Sequence, residues 1–490
     1  MTGVEVTPRR LGVGHGIPSH VRERAPMLRR WQPLVLLLAA GAALRILAVV
    51  AVYPGIWFSD TNSYVQVAAT GTLSLTRVSG YALVVAPFWR LGSAGALIVL
   101  QHLIGLALVV ALYALLLRRG VPRLVALLAV VPVALDAYLV DIEHMIMSET
   151  IFHAALVAAI AVLLWQESLG RRAALAGGLL LGYPGVVRSV ALPSVAIFLG
   201  YLLLRRVGWR ALIAFAVGWA LVTGGYATVF ALQHGRLGFT GSAGKFLYAR
   251  VAPFADCSRL GALTPFERSL CPANGRRMTT NAYRWSKRSP IHGLPSRLDP
   301  RIRRFALRVI EAQPLTYARV VAGDFFHYFE PGHRMSRNDY PVSAWQFPAD
   351  PRRWHYPAYR GPIRPGHAHR KHGISPSAYI TRMTGRPRTN LAASRILHAY
   401  QRFEYTSGQL LAICVLVVLV ALARRRGPAR MRLDGALLAA TALVALLVAS
   451  ALSIFDYRYG FVAVVLLPTA AALGGTALLR ASGPRPAPAG

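Results

Sequence analysis

Ten apolar stretches alternate with short polar connections along this chain, near residues 34–53, 95–117, 122–140, 150–166, 173–187, 189–205, 210–232, 408–424, 433–455 and 460–480. Each approaches or exceeds the length that carries a helix across about 30 Å of hydrocarbon. The pattern therefore predicts an α-helical polytopic membrane protein with about ten transmembrane helices. Residues 80–91 are also apolar but short and hold Pro87, which suits a re-entrant or interfacial helix better than a full crossing. Between the seventh and eighth stretches lies a long polar block, 233–405, with mixed and irregular character. Within it, Ile302, Phe305, Ala306, Val309 and Ile310 recur at helical spacing, followed after Pro314 by Tyr317, Val320, Val321 and Phe325. Residues 331–390 are rich in Pro, Gly, His and Arg and read as irregular structure laid on a surface. No internal repeat recurs at a solenoid period.

The composition agrees with a membrane chain: 55% of the 490 residues are hydrophobic, and the mean hydropathy is +0.44. A formal net charge of +36 would suggest nucleic acid in a soluble protein. Here most of the basic residues flank apolar stretches, and no nucleic-acid recognition module accompanies them, so membrane lipids are the expected partners. Basic residues in short loops also give direction. With the N-terminus inside, Arg29 and Arg30, Arg118, Arg119 and Arg123, Arg171 and Arg172, Arg205, Arg206 and Arg210, and the cluster from Arg424 to Arg432 all fall on the cytoplasmic side.

This orientation predicts a multi-pass cell-membrane protein with both termini cytoplasmic. Residues 1–30 form a basic tail ahead of an uncleaved signal anchor. Residues 31–232 form an N-terminal membrane region of about seven helices with a first outer loop at 54–94. Residues 233–405 form an extracytoplasmic segment large enough for a small folded domain. Residues 406–480 form a C-terminal region of about three helices, and 481–490 a second cytoplasmic tail. The remaining outer segments are 141–149, a turn near Arg188, and the turn from Asp456 to Tyr459. Of the three cysteines, Cys414 lies in an apolar stretch as packing. Cys257 and Cys271 share the outer block, where a disulfide between them can persist.

Polar chemistry collects on the outer side. Asp60, in the run Phe58-Ser59-Asp60-Thr61-Asn62-Ser63-Tyr64, follows the first stretch directly. A carboxylate beside apolar and aromatic groups suits a general base, although the same run also suits a helix cap. Asp136, Asp141, Glu143, His144, Ser148 and Glu149 form a second cluster. Ionisable groups at a membrane edge are candidates for function, with a solvated loop as the plain alternative. If this segment is one helix, Asp141, His144, Met145 and Ser148 share a face, with Glu149 at its margin and Glu143 pointing elsewhere. Arg188 and Arg458 are candidates to grip a lipid-linked phosphate by paired hydrogen bonds; otherwise they snorkel to head groups, or Arg458 pairs with Asp456. Arg45, inside the first stretch, suits an inter-helix ion pair. His355, His367, His369 and His372 offer metal-like spacing, but Arg364, Arg370 and Lys371 among them repel a cation.

This order of motifs resembles the GT-C superfamily of membrane glycosyltransferases. The matching features are Phe58-Ser59-Asp60 with Tyr64 after the first span, the acidic loop Asp141 to Glu149 before the fourth, Arg458-Tyr459 opening the last, and a large outer domain before the final helices. The resemblance implies sugar transfer, hexosyl or pentosyl, from a polyprenyl-phosphate donor to an extracytoplasmic glycan, lipid or protein acceptor, with inversion. It implies Asp60 as catalytic base, Glu143 or Glu149 as the second acid, and Arg458, with Arg188 and Tyr459, as donor-phosphate contacts. Tyr64 and His144 are candidate substrate contacts, and Trp345, Trp354 and Tyr356 are aromatics available to sugar faces. Many relatives carry two adjacent acids in the first outer loop, whereas Ser59 and Thr61 flank Asp60 here. Whether a divalent metal, Mg or Mn, takes part is therefore left open. Two other classes compete: a lipid or cell-envelope polymer transporter, and a non-catalytic membrane assembly protein.

Overall fold

The computed structural model describes residues 19–272, 277–353, 382–383, 387–425 and 427–481. All ten apolar stretches are largely helical in it. The helices are α1 Ser19–Ala51, α2 Ser59–Thr70, α3 Gly80–Leu91, α4 Ala94–Arg118, α5 Arg123–Leu135, α6 Ala137–Glu143, α7 Glu149–Trp165, α8 Arg171–Val187, α9 Ser194–Leu204 and α10 Trp209–His234. The polar block contributes α11 Ala243–Val251, α12 Pro265–Ser269, α13 Thr280–Trp285, α14 Asp299–Ala312, α15 Pro314–His327 and α16 Leu391–Gln401. The chain then returns to α17 Gly408–Arg424, α18 Ala429–Leu452 and α19 Phe461–Ala481.

Among the described residues, five helical segments are long and apolar enough to cross a membrane: Trp31–Ala51, Ala94–Arg118, Trp209–His234, Ala429–Leu452 and Tyr457–Arg480. A sixth is reached if α5 and α6 form one span bent by 52°; α7, α17 and the segment Ser189–Leu204 are apolar but shorter. The expected unbroken helix at 122–140 is thus corrected to two helices. The break has a local cause, because the Asp136 carboxylate accepts from the backbone N–H groups of Tyr138 and Leu139 and starts a new helix there. The same residue's other oxygen accepts from Thr406 N–H at 2.7 Å, tying the bend to the start of α17.

Other helix ends follow the same chemistry. Ser93 and Ser407 cap α4 and α17 through side-chain oxygens, and Gly71 and Gly92 close α2 and α3 in the left-handed conformation. Helices α8 and α10 pack closely because Gly178 and Gly218 face each other's backbones; a Cβ on Gly178 would overlap the Phe215 carbonyl.

The polar block holds a core of its own, with Leu247, Tyr248, Val251, Leu270, Ile302, Phe305 and Val309 buried together. The helical periodicity at 301–329 appears as α14 and α15, divided at Pro314. Cys257 and Cys271 are joined in a disulfide, with Cα atoms 6.2 Å apart, and Cys414 is free and buried. Residues Val52–Tyr53 pair antiparallel with Arg388–Thr389, which fixes the exit of α1 against the end of the block. His355, His367, His369, His372, Trp354 and Tyr356 lie outside the described residues.

Candidate active site

Four separate parts of the chain supply one cluster of charges. Helix α2 begins at Ser59, and its first turn is held by Thr61, whose hydroxyl accepts from Phe58 N–H at 3.1 Å and donates to Ile146 O at 3.0 Å. Thr61 therefore does the capping, leaving the Asp60 carboxylate free to face inward. It pairs with Arg77, from the loop after α2, and with Arg458 Nη1 at 3.3 Å. Arg458 continues to Glu149 Oε1 at 3.6 Å and donates from Nε to Asp456 Oδ2 at 2.9 Å. Glu149, at the start of α7, pairs in turn with Arg188. The ion pairs run Arg77, Asp60, Arg458, Glu149, Arg188, with Asp456 on the far side of Arg458.

Aromatic rings enclose these charges. The Arg458 guanidinium carbon lies 4.8 Å from the Trp345 ring, 5.6 Å from Phe58 and 5.1 Å from Tyr459. Arg188 lies 5.1 Å from the Tyr459 ring and Arg77 5.8 Å from that of Tyr64. The Tyr64 hydroxyl donates to Ser148 Oγ at 3.1 Å, next to Glu149. Trp345 is fully buried and 4.7 Å from Phe58, so it walls the cluster instead of offering an open stacking face.

Burial alone pushes the Asp60 carboxyl up, but Arg77 and Arg458 outweigh it and hold the group at about 2. Asp456 behaves oppositely. Its burial exceeds the pull of Arg458 and raises it to about 6. The cluster thus contains one firmly ionised carboxylate on two guanidiniums and one carboxyl that titrates just below neutrality.

Asp60, Glu149, Arg188, Arg458, Tyr64 and Tyr459 are all brought together. Glu143 and His144 are not. Residues 141–149 form neither one helix nor a solvated loop: α6 ends at Glu143, and the following residues run against Ile56, whose N–H donates to His144 O at 2.9 Å. Because the chain turns there, Glu143 faces the bundle interior and is forked by Arg45, with both bonds at 2.8 Å. The His144 ring is buried, donating to Val52 O and bonded to His102. Of the two glutamates it is thus Glu149 that shares Arg458 with Asp60, while the His144 ring is closed in by Val52 and His102.

Sequence reasoning passed over Arg77. Its signal was available, as an arginine in the loop expected on the same side as Asp60 and opposite to the other basic loops. As to metal, no group of three or more His, Cys, Asp or Glu side chains that could hold an ion is present among the described residues. Asp60 and Glu149 each meet two guanidiniums through a single oxygen, Oδ2 and Oε1.

No protein-family model matches the chain, and no curated protein matches it. Among solved structures, the chain is similar to ArnT from Cupriavidus metallidurans in its apo state, at 14% identity and a TM-score of 0.34, over 90% of this chain and 77% of that one.

Proposed function

We propose that this protein is a membrane glycosyltransferase of the GT-C type, moving a sugar from a polyprenyl-phosphate donor to an acceptor hydroxyl on the extracytoplasmic side. The observation that carries this reading is the meeting of Asp60 with Arg77 and Arg458, and of Arg458 with Glu149, from segments far apart in sequence. The excess of arginine in the opposite loops supports the sidedness.

A polyprenyl-phosphate sugar is a phosphodiester carrying one negative charge. On leaving the sugar it becomes a monoester and gains a second. Guanidiniums fixed where that charge develops stabilise the transition state more than the ground state. In the resting site Arg77 and Arg458 are both engaged by Asp60, and Arg458 also by Glu149 and Asp456. Donor phosphate takes over part of their hydrogen bonding, and Asp60 loses the field that keeps it so weakly basic. Asp60 then accepts the proton of the acceptor hydroxyl as its oxygen bonds to the anomeric carbon and the carbon–oxygen bond to phosphate breaks. A single displacement inverts the anomeric centre. Glu149, held by Arg188, keeps Arg458 in place, and Tyr64 orients Glu149 through Ser148. Every step uses this chain's own residues and none is routed through a metal.

Membranes containing the protein, incubated with labelled polyprenyl-phosphate sugars, test the reading. Label passing into lipid, glycan or protein supports it. Donor crossing the bilayer unchanged favours a transporter, and neither event favours an assembly role.

A further inference from the structure

Beneath the charge cluster lies a second polar network. Arg45 on α1 uses all its N–H groups: Nε and Nη2 fork Glu143, while Nη1 donates to Gly41 O and Ala134 O and Nη2 also reaches Val133 O. His102 on α4 places Nδ1 at 3.0 Å from Glu143 Oε2 and Nε2 at 3.0 Å from His144 Nδ1. His144 Nε2 lies 2.7 Å from Val52 O. All four side chains are buried.

The proton count along this line is determined by its ends. A carbonyl oxygen only accepts, so His144 Nε2 carries a proton. Between His144 Nδ1 and His102 Nε2 there is one more. A carboxylate only accepts, so His102 Nδ1 carries a third. Two neutral imidazoles hold two such protons, and three are required. The extra one does not reside on Glu143, because the Arg45 fork favours the ionised carboxylate. Of the two rings only His102 touches the Glu143 carboxylate, which places the extra proton on His102 and leaves His144 Nδ1 as the acceptor.

We infer that His102 is a buried imidazolium and that the line Arg45, Glu143, His102, His144 is a charged strut positioning the Asp60 loop. His144 is the joint. Its ring holds Val52 O, its carbonyl accepts from Ile56 N–H, and Ile146 O two residues on accepts from Thr61 in the first turn of α2. The strut thus sets residues 52–61 against 144–146, and with them Asp60 against Glu149. His102 and His144 are positioning residues and touch no substrate. The protonation state is independent of the reaction, whereas the positioning consequence rests on the transferase reading above.

Wild-type protein labelled with ¹⁵N-histidine in lipid nanodiscs provides the test without any variant. A scalar coupling between two ring nitrogens across the N–H···N bond identifies the His102 and His144 pair. The expected spectrum at neutral pH shows the donor ring of that pair protonated on both nitrogens and the acceptor ring on one. Absence of the coupling, or a donor ring with a single proton, overturns the inference. For the consequence, His102→Asn is expected to lower kcat about 100-fold while the donor KM stays within about threefold, since misplacement by an ångström suffices for such a loss. An unchanged kcat overturns the positioning role. A wild-type protein with the imidazolium but without sugar transfer would count against the transferase reading alone.

Discussion

Arg458 and Asp60, separated by 398 positions in the chain, meet at 3.3 Å between Nη1 and Oδ2. That contact joins the turn before the last helix to the first turn after the first span. It makes a single guanidinium answerable to both ends of the protein.

Replacing Arg458 with Ala is expected to lower kcat by about 10²–10³-fold, the range found when one preorganised donor to a developing negative charge is removed. Arg458→Lys keeps the charge but loses the planar fork and is expected to fall between wild type and Ala. Arg77→Ala should show a loss of the same kind. Steady-state transfer assays on the three variants measure it.

Donor affinity should depend on pH through Asp456. Its carboxyl is raised to about 6, so it is ionised at pH 7 and mostly neutral at pH 5. Ionised Asp456 competes with phosphate for Arg458 and repels it; the phosphodiester itself does not titrate in this range. Binding should therefore tighten as pH falls from 7 to 5, by at most about tenfold for one linked proton. Asp60, at about 2, stays ionised throughout. Donor titrations at the two pH values check the effect, and Asp456→Asn should remove it.

Chelation by EDTA is expected to leave transfer intact. One oxygen of Asp60 and one of Glu149 are held by guanidiniums, and the neutralisation of phosphate is assigned to arginine. Loss of activity restored by added Mg or Mn would contradict this division of labour.

Helix α4 passes the ion pair of Glu143 at Gly105, where a Cβ would overlap the carboxylate. Gly105→Ala should push Glu143 off Arg45 and cost on the order of 3 kcal/mol, as for other buried pairs that lose their geometry. Thermal unfolding in detergent or nanodiscs measures the loss.

The helices were legible because apolar runs of spanning length leave few alternatives in lipid. Arginine in the short loops predicted a common side for Asp60, Glu149, Arg188 and Arg458, and these four side chains do meet in one cluster. What the sequence concealed depended on local turns. Asp136 reads equally well as a loop acid or a cap, and only its bonds to Tyr138, Leu139 and Thr406 reveal the bend. That bend decides that Glu143 turns inward to Arg45 while Glu149 turns to Arg188. Arg77 escaped notice because a lone arginine in a long loop carries no periodicity.

The central claim is that Asp60 takes the acceptor's proton during sugar transfer. It is tested most directly by comparing wild type with Asp60→Asn in nanodiscs, using labelled polyprenyl-phosphate sugar and following both donor retention and label transferred to acceptor. The account predicts that the variant inserts and retains donor but transfers no label above background. Transfer by Asp60→Asn at the wild-type rate would contradict it.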